Sequence, residues 1–300
     1  MTGRQVIRVA AMIDAPSPPT IDYFPKERVV KLCKQYQLIM AGFMLFLSVG
    51  WTTASAVEAG QDPFAQLEQK ANSGDVDAQA DLGKAYALGK GVEKDYVVAR
   101  GWLLKAGAKG RADAQVILGY IYRDGLGIDK DLVQAVKWFR AAAEQGLATA
   151  QTNLAMLYKN GQGVAQNDHE ALNWFLKAAD QGDVYAQTNI GLIYEAGQGV
   201  PQDYKIAAQW YQKAAERQHE IAQRKLAYLY ETGQGVPQDY VKAYTWYAIA
   251  SVWKDSENEE MAADDPRLRI GPHLTQDQID AANQAAAEWW GKHFSTVSGQ

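Results

Sequence analysis

Side chains that could carry out chemistry are few in this sequence, and their spacing does not bring them together. The four histidines, His169, His219, His273 and His293, are not paired at the spacing that metal ligands use. The sequence contains no Gly-x-Ser-x-Gly nucleophile elbow, no His-Glu-x-x-His helix and no phosphate-binding glycine-rich loop. We therefore expect a protein that is not an enzyme and that uses no cofactor.

Carboxylates are numerous, but most of them have a structural explanation. Aspartates recur just before predicted helices, where a carboxylate caps the first backbone N–H groups; they are Asp95, Asp131, Asp203 and Asp239. A second group lies in an acidic segment, at Glu257, Glu259, Glu260, Asp264 and Asp265. Because nothing in this spacing forces the oxygens to converge on a cation, we expect no metal site.

The one cysteine, Cys33, lies in a segment with the features of a secretory signal. Basic residues between positions 28 and 34 precede the uncharged apolar run 38–51, and residues 54–56 have the small-x-small form of a cleavage site. We predict that residues 1–56 are a leader, cleaved after Ala56, and that the protein is periplasmic or secreted. The alternative is an uncleaved inner-membrane anchor with periplasmic repeats, because the apolar run and its neighbours approach the roughly 20 residues of a membrane span.

The part of the leader before the apolar run is unusually long for a secretory signal. It is also rich in proline between residues 16 and 19. We hypothesise that translation starts near Val29 or Val30, in which case residues 1–28 are not made. Sequencing the N-terminus of the unprocessed precursor tests this hypothesis.

The predicted mature chain is acidic. Cleavage removes six of the 30 basic and three of the 35 acidic residues, which changes the net charge from −5 to −8. An acidic exported protein is a poor candidate for binding nucleic acid or an anionic membrane surface. We therefore expect no nucleic-acid partner, and membrane contact only if the signal segment is an uncleaved anchor.

Aromatic residues and glycines recur with a period of 36 residues. The repeated tryptophans are Trp102, Trp138, Trp174, Trp210 and Trp246. The repeated tyrosines are Tyr86, Tyr122, Tyr158, Tyr194 and Tyr230. Gly-x-Gly pairs keep the same step, at 89/91, 125/127, 161/163, 197/199 and 233/235. A period of this length predicts a solenoid of repeated supersecondary units.

The spacing within one repeat predicts a helix, a turn and a second helix. Ala78, Leu82 and Tyr86 fall on one helical face, and Gly-x-Gly follows as a helix C-terminus. A second helix then carries a stripe that includes Trp102. Glycine or alanine recurs in the middle of the first helix, as at Gly83, which implies that a neighbouring backbone packs close against it.

The repeated pattern carries a resemblance to a known family. Ala-Gln-x-x-Leu-Gly-x-x-Tyr-x-x-Gly-x-Gly-Val-x-x-Asp-Tyr-x-x-Ala-x-x-Trp-x-x-Lys-Ala-Ala resembles the Sel-one-like repeat (SLR), a relative of the tetratricopeptide repeat. Residues 186–215 match it almost letter for letter, and the likeness runs from about Gly74 to Ala250. It implies an all-α, right-handed superhelical solenoid of helix-turn-helix repeats that serves as an adaptor or scaffold for protein complexes.

The ends of the array should shield its apolar faces from water. We predict an N-terminal capping half repeat over residues 57–73, with Phe64 turned inward, and five repeats over 74–252. A loop over 253–274 should lead to a C-terminal capping helix over 275–293, which opens with a capping-box sequence. Residues 294–300 are expected to form a frayed tail.

The resemblance implies that the first helix of each repeat lines a concave groove. The candidate partner-binding residues there are Tyr120, Asn153, Met156, Asn189, Leu192, Lys225 and Tyr228. Asn153 and Asn189 occupy equivalent positions, so their amides could bond the backbone of an extended partner. The alternative is that asparagine is simply a common residue of this repeat.

These observations leave three functional hypotheses of different classes. The first is a non-catalytic scaffold of the bacterial cell envelope that binds an unidentified protein partner, as a peptide or helix, in the groove. The second is an envelope protein that binds peptidoglycan or an exported polysaccharide through aromatic faces. The third is an envelope hydrolase. If the repeated tryptophans are buried between helices, as their strict period suggests, few remain to stack on sugars.

Overall fold

The computed structural model describes residues 62–251 and 265–294. They belong to one compact unit, Gln61–Gln300. The predicted leader with its cleavage site, most of the predicted loop and the last six residues of the predicted tail lie outside the described residues. No described helix is both long and apolar enough to cross a membrane.

The described residues form thirteen α-helices and no strand. The helices are α1 (Pro63–Asn72), α2 (Val76–Leu88), α3 (Tyr96–Ala108), α4 (Ala112–Asp124), α5 (Leu132–Glu144), α6 (Ala148–Asn160), α7 (Asp168–Asp180), α8 (Val184–Ala196), α9 (Tyr204–Glu216), α10 (Glu220–Thr232), α11 (Tyr240–Ser251), α12 (Pro266–Ile270) and α13 (Gln276–Phe294). Helices α2 to α11 form five tandem hairpins, α2/α3 to α10/α11, and each hairpin packs on the next. The predicted all-α solenoid of helix-turn-helix repeats is confirmed.

The corner between the two helices of a repeat is closed by a backbone bond and by two glycines. In the third repeat, the N–H of Asn167 donates to the carbonyl of the repeated Tyr158 at 3.0 Å. Gly161 ends α6 with φ +62°, a left-handed conformation that disfavours side chains. Gly163 is left-handed too, and a Cβ there would collide with the carbonyl of Leu132 at the start of α5. The second glycine is therefore required by packing on the preceding repeat.

The second helix of each repeat begins at a polar side chain that caps it. Asp95 accepts from the N–H groups of Val97 and Val98, at 2.8 and 3.0 Å. The equivalent residues Asp131, Asn167, Asp203 and Asp239 also accept a hydrogen bond from an N–H in the first turn. The predicted N-caps are confirmed, and they account for these carboxylates without any catalytic role.

The centre of each hairpin is filled by the residue that follows the repeated tryptophan. These residues are Leu103, Phe139, Phe175, Tyr211 and Tyr247. A Cβ on Gly119 would lie 2.5 Å from the Phe139 ring, and one on Gly191 would collide with the Tyr211 ring. The small residue in the first helix therefore makes room mainly for a side chain of the second helix. The expectation that a neighbouring backbone required the small residue was wrong in this respect.

A short helix precedes the solenoid. Helix α1 packs on α2, and the Phe64 and Tyr86 rings meet edge to face with centroids 5.9 Å apart. Phe64 and Leu67 are half-buried against the cluster formed by Ala71, Ala78 and Leu82. Helix α1 thus covers the side of the first hairpin that no preceding repeat packs against.

The C-terminal end contains more structure than the sequence indicated. Within the predicted loop, α12 and a 3₁₀ turn at Gly271–His273 pack near α11. The His273 ring stacks on Tyr240, with centroids 4.5 Å apart. A five-residue helix is too short to show a hydrophobic period; capping by Asp265 and burial of Ile270 hold it.

Helix α13 closes the array against α11. Thr275 and Gln278 exchange side chain–backbone hydrogen bonds of 2.9 and 3.3 Å, which is the predicted capping box. Trp290 is buried and donates to the carbonyl of Ile249 at 3.2 Å. Helix α13 thus covers the last hairpin.

Candidate interaction surface

The seven candidate groove residues all lie on the first helices of repeats two to five. We call the side of the solenoid formed by α2, α4, α6, α8 and α10 the first-helix face. Tyr120, Met156, Leu192 and Tyr228 occupy one repeat position, which we call the row, while Asn153, Asn189 and Lys225 occupy a second position three residues earlier.

The row offers apolar surface at a regular step. Tyr120, Met156 and Leu192 are half-buried, whereas Tyr228 is 43% exposed. Tyr185, near the start of α8, is 41% exposed on the same helix as Leu192. Methionine, leucine and tyrosine side chains suit an apolar or amphipathic partner segment.

The amide of Asn153 is already used inside the protein. Its Nδ2 donates to the Tyr120 hydroxyl at 3.0 Å and to the Thr149 carbonyl at 2.8 Å. Its Oδ1 accepts from the Arg123 guanidinium at 2.8 Å, which links α6 to α4. Both donor hydrogens and one acceptor lone pair therefore have partners.

Asn189 occupies the equivalent position and behaves in the same way. It is buried, its Nδ2 donates to the Tyr185 carbonyl at 2.9 Å, and its Oδ1 accepts from Lys159 at 3.3 Å. Burial lowers the pKa of Lys159. The two amides thus connect neighbouring repeats, and this geometry supports the alternative that asparagine serves the repeat itself.

Sequence reasoning missed Arg123 and Lys159, the charged residues that these amides contact. They follow the repeated tyrosines, as do Glu195 and Glu231 in the next two repeats; we call these four residues junction residues. Each bonds to a residue of the element that packs next along the solenoid. Glu195 pairs with Lys225 at 2.7 Å, and Glu231 accepts two bonds from Arg269 of α12, at 2.8 and 2.7 Å. One signal in the sequence could have identified them. The residue after the repeated tyrosine changes from a cation to a glutamate in the fourth repeat, and the first-helix position that it bonds changes from asparagine to lysine in the fifth.

The acidic junction residues have a second donor in the hairpin core. The Tyr211 hydroxyl donates to Glu195 at 2.5 Å, and the Tyr247 hydroxyl donates to Glu231 at 2.8 Å. Burial, and then the neighbouring carboxylate, raises the pKa of both tyrosines far above the ordinary value. Both phenols therefore stay protonated and act as fixed donors.

The first two repeats are joined by a different ion-pair network. Lys84 of α2 bridges Asp81 of its own helix and Asp113 of α4, while Arg111 pairs with Asp77 and Asp113. Partial burial alone would raise the pKa of Asp113, but hydrogen bonds from Arg111 and Lys84 hold it well below its usual range. These charges stabilise the stack instead of forming an acid–base pair.

His219 lies between the fourth and fifth repeats. Its Nδ1 is 2.8 Å from the Thr188 hydroxyl, and its ring meets Tyr185 edge to face at 5.0 Å. Because Thr188 donates its one proton to the Val184 carbonyl, Nδ1 must carry the imidazole proton. Burial lowers the pKa of His219 to about 4, so the ring is neutral near pH 7.

The repeated tryptophans lie at the margin of the core, and all five are half-buried. Our expectation that they are buried between helices was therefore wrong. Lysine ammonium groups lie over four of the rings, at 3.7 Å from the Trp102 centroid, 4.0 Å from those of Trp174 and Trp210, and 5.6 Å from that of Trp138. A ring face that carries an ammonium group is a poor platform for a sugar, so the polysaccharide hypothesis gains no support here.

Two further features of the described ranges bear on possible chemistry, namely metal ligands and cavities. No group of three or more His, Cys, Asp or Glu residues there could hold a metal ion. A cavity of about 370 Å³ lies between α5 and the next corner, lined by Val133, Val136, Lys137, Arg140, Ala141, Glu144, Gly163 and Val164. Half of these residues are aliphatic, and the charged ones are Lys137, Arg140 and Glu144.

Fold and surface together define a tandem helix-hairpin repeat protein. The Sel1 repeat family model matches residues 76–110, 112–147, 148–183, 184–219 and 221–251, more than half of the chain. The chain belongs to the Sel1 repeat family, as the sequence pattern indicated. Proteins of this family are generally non-catalytic repeat scaffolds, and the fold is typically a protein-interaction module.

Solved structures show the same architecture. A Sel1 repeat protein from Oxalobacter formigenes is 32% identical with a TM-score of 0.58, over 86% of this chain and 97% of that one. A protective antigen of uropathogenic Escherichia coli with an SLR fold is 31% identical with a TM-score of 0.50, over 75% of this chain. The present chain spans only 55% of that antigen. No curated protein matches the chain.

Proposed function

We propose that this protein is a non-catalytic scaffold of the bacterial cell envelope, which binds a peptide or helix of a protein partner along the first-helix face. The observation that carries the proposal is the set of bonds that join the first helices of repeats two to five and tie the last of them to α12. Three join successive first helices, from Arg123 to Asn153, Lys159 to Asn189 and Glu195 to Lys225. The fourth joins Glu231 of α10 to Arg269 of α12.

These bonds hold the row residues at a fixed spacing before any partner arrives. Met156, Leu192 and Tyr228 each project from a helix whose neighbours are bonded to it, so little side-chain and backbone freedom remains to be lost on binding. An amphipathic segment with apolar residues at matching intervals would find these contacts preorganised. We place recognition on the row and assign the asparagines a supporting role.

Site-specific photo-crosslinking in cells tests this surface. A photoreactive phenylalanine at position 192 or 228 should form a discrete adduct with a partner protein. The matched control is position 209, where Gln209 is exposed on the second helix of the same repeat as Leu192. An adduct that forms equally from position 209, or from neither row position, would contradict recognition by the first-helix face.

The row can also be tested without a crosslinker. Leu192→Ala with Tyr228→Ala should lower recovery of the crosslinked partner by more than tenfold, taking about 1–2 kcal/mol for each apolar anchor. Lys205→Ala with Gln209→Ala, on the exposed side of α9, should leave recovery unchanged. Both variants should retain the circular-dichroism spectrum of the unmodified protein.

The envelope location rests on the leader alone. The basic segment, the apolar run 38–51 and the small residues before Val57 support export followed by cleavage. N-terminal sequencing of the protein from a periplasmic fraction should begin at Val57. Recovery of residues 38–51 in the membrane fraction would favour the anchored alternative.

A further inference from the structure

Charge is distributed unevenly along the chain. Between residues 84 and 111 the sequence has seven basic and two acidic residues, although the predicted mature protein as a whole carries −8. Two of the seven, Lys84 and Arg111, are paired with aspartates outside this stretch. This segment comprises the end of α2, the first corner, α3 and the following turn. Net charge alone therefore conceals a basic region in the first repeat.

The exposed side of α3 carries aliphatic side chains near its start. Val97 is 54% and Val98 is 36% exposed, and Gly101 beyond them is exposed with open space where a Cβ would be. At the position of Val97, the second repeat has the exposed Val133, whereas the third has His169 and the fourth has Lys205. Leu88, which leads into the first corner, is 71% exposed. Three exposed aliphatic side chains, Leu88, Val97 and Val98, thus fall in this segment.

Exposed lysines flank these aliphatic residues. Lys90 and Lys94 lie in the corner before α3, and Lys105 lies one turn beyond Gly101. Lysine stems can lie along an apolar surface while their ammonium groups extend to its edge. We call Leu88, Lys90, Lys94, Val97, Val98 and Lys105 the basic-aliphatic patch.

We propose that the basic-aliphatic patch docks the first repeat on an anionic lipid surface. The aliphatic side chains would enter the headgroup region, and the lysines would pair with lipid phosphates. A single exposed helix face offers no groove to enclose a peptide, whereas lysines act as point charges that accept any arrangement of anionic headgroups. Salt screens the repulsion from acidic residues more than about 8 Å away, so the nearest charges matter most, and these are the patch lysines together with Glu93 and Asp95 of the same corner.

This inference is independent of partner binding at the first-helix face. It also differs from the expectation that the net charge produced, namely no contact with anionic membranes. Docking through α3 would not occupy the row residues, which lie on first helices. The proposed function and this proposal can therefore fail separately.

Vesicle flotation with the full-length chain tests the proposal. The protein should bind phosphatidylcholine vesicles containing phosphatidylglycerol more tightly than vesicles of phosphatidylcholine alone. Lys90→Gln, Lys94→Gln and Lys105→Gln together should lower partition onto the anionic vesicles by about a hundredfold, taking about 1 kcal/mol per lysine. Residues 1–61 are identical in both proteins, so their own membrane affinity cancels in the comparison.

A matched variant controls for total charge. Lys177→Gln, Lys205→Gln and Lys213→Gln remove the same charge from exposed positions on α7 and α9, and two of them also cover a tryptophan as Lys105 does. This variant should keep most of the anionic preference. Equal losses in the two variants, an anionic preference that survives in the patch variant, or no preference in the unmodified protein would each overturn the proposal.

The aliphatic part has its own readout. Val97→Gln with Val98→Gln should leave the dependence of binding on salt intact but lower partition at every salt concentration, because only the apolar contribution is removed. If this variant binds as the unmodified protein does, the surface is not a membrane-docking patch of the proposed kind. Circular dichroism should show both variants folded.

Discussion

Two stretches of the solenoid connect neighbouring repeats with opposite arrangements of donors and acceptors. After the second and third repeats, the junction residue is a cation, Arg123 or Lys159, that donates to an asparagine of the next first helix. After the fourth and fifth, it is a glutamate that accepts from Lys225 or Arg269. The direction of donation reverses while the hairpin geometry stays the same.

The hairpin core changes together with the junction. The ring that follows the repeated tryptophan is Phe139 or Phe175 beside a cationic junction residue, but Tyr211 or Tyr247 beside a glutamate. A half-buried carboxylate needs several donors to offset its desolvation, and the tyrosine hydroxyl supplies one of them. Each junction is therefore a unit of three residues: the junction residue, the ring that follows the repeated tryptophan, and the residue of the next element that bonds the junction residue. At the junction after the fourth repeat these are Glu195, Tyr211 and Lys225.

Among the variants that compare the two types of junction, truncation of the buried ring that follows the repeated tryptophan should lower stability the most. We expect Phe175→Ala to lower the free energy of unfolding by about 3–5 kcal/mol, because a fully buried ring leaves a cavity. Tyr211→Ala should cost about 1 kcal/mol more, since it also removes a donor from Glu195. Urea unfolding followed by circular dichroism measures both. A smaller loss for Tyr211→Ala would mean that the hydroxyl bond contributes nothing.

Acidification should act on the junction between the fourth and fifth repeats in particular. His219 has a pKa of about 4 in the folded protein, below the roughly 6.5 of an exposed histidine. Between these values the unfolded chain binds a proton that the folded chain does not. The free energy of unfolding should therefore be highest above pH 6.5 and fall by about 3 kcal/mol in total as the pH approaches 4.

A variant isolates this contribution from the other titrating groups. His219→Asn keeps a neutral polar side chain at the start of α10, so it should abolish most of the loss between pH 6.5 and 4. The other three histidines are unchanged in this variant. If the variant shows the same pH dependence as the unmodified protein, His219 does not titrate as its burial implies.

Removal of a single hydroxyl should have a smaller effect that differs between two equivalent sites. Tyr211→Phe leaves Glu195 with Lys225 and should cost about 1–2 kcal/mol. Tyr247→Phe should cost less, because Glu231 keeps two hydrogen bonds from Arg269. Thermal unfolding of both variants measures the loss of stability. An equal or larger loss for Tyr247→Phe would show that the loss does not depend on how many hydrogen-bond donors the glutamate retains.

The repeat architecture could be predicted from the sequence because its signals are invariant. Five repeats keep the period of three features: glycines that adopt positive φ, an Asp or Asn that caps the second helix, and the repeated Tyr and Trp. Because the sequence analysis relied on invariant residues, it assigned the core of the hairpins to the repeated tryptophans and not to the variable residue that follows them. The fully buried centre changes from Leu103 to Phe139 to Tyr211, and a search for constant residues overlooks such a position.

The candidate surface was only partly predictable for a related reason. Sequence reasoning placed Asn153 and Asn189 on first helices, where the structure has them, but it could not show that Arg123 and Lys159 already engage them. A hydrogen bond between residues about 30 apart depends on the exact stacking of two hairpins. That stacking follows from packing of the second glycine and the core ring, which no local pattern encodes.

Exchange of a whole junction should have the smallest effect of all, and it is the sharpest test of the three-residue unit. Glu195→Lys alone should cost about 2 kcal/mol, because it places two lysines together and leaves the Tyr211 hydroxyl without its acceptor. Combined with Tyr211→Phe and Lys225→Asn, it recreates the set Lys159, Phe175 and Asn189 of the preceding junction. We expect the triple variant to unfold within about 1 kcal/mol of the unmodified protein, a strong non-additivity between contacting residues. If the triple variant is no more stable than Glu195→Lys alone, the two junction types depend on wider differences between the repeats than these three side chains.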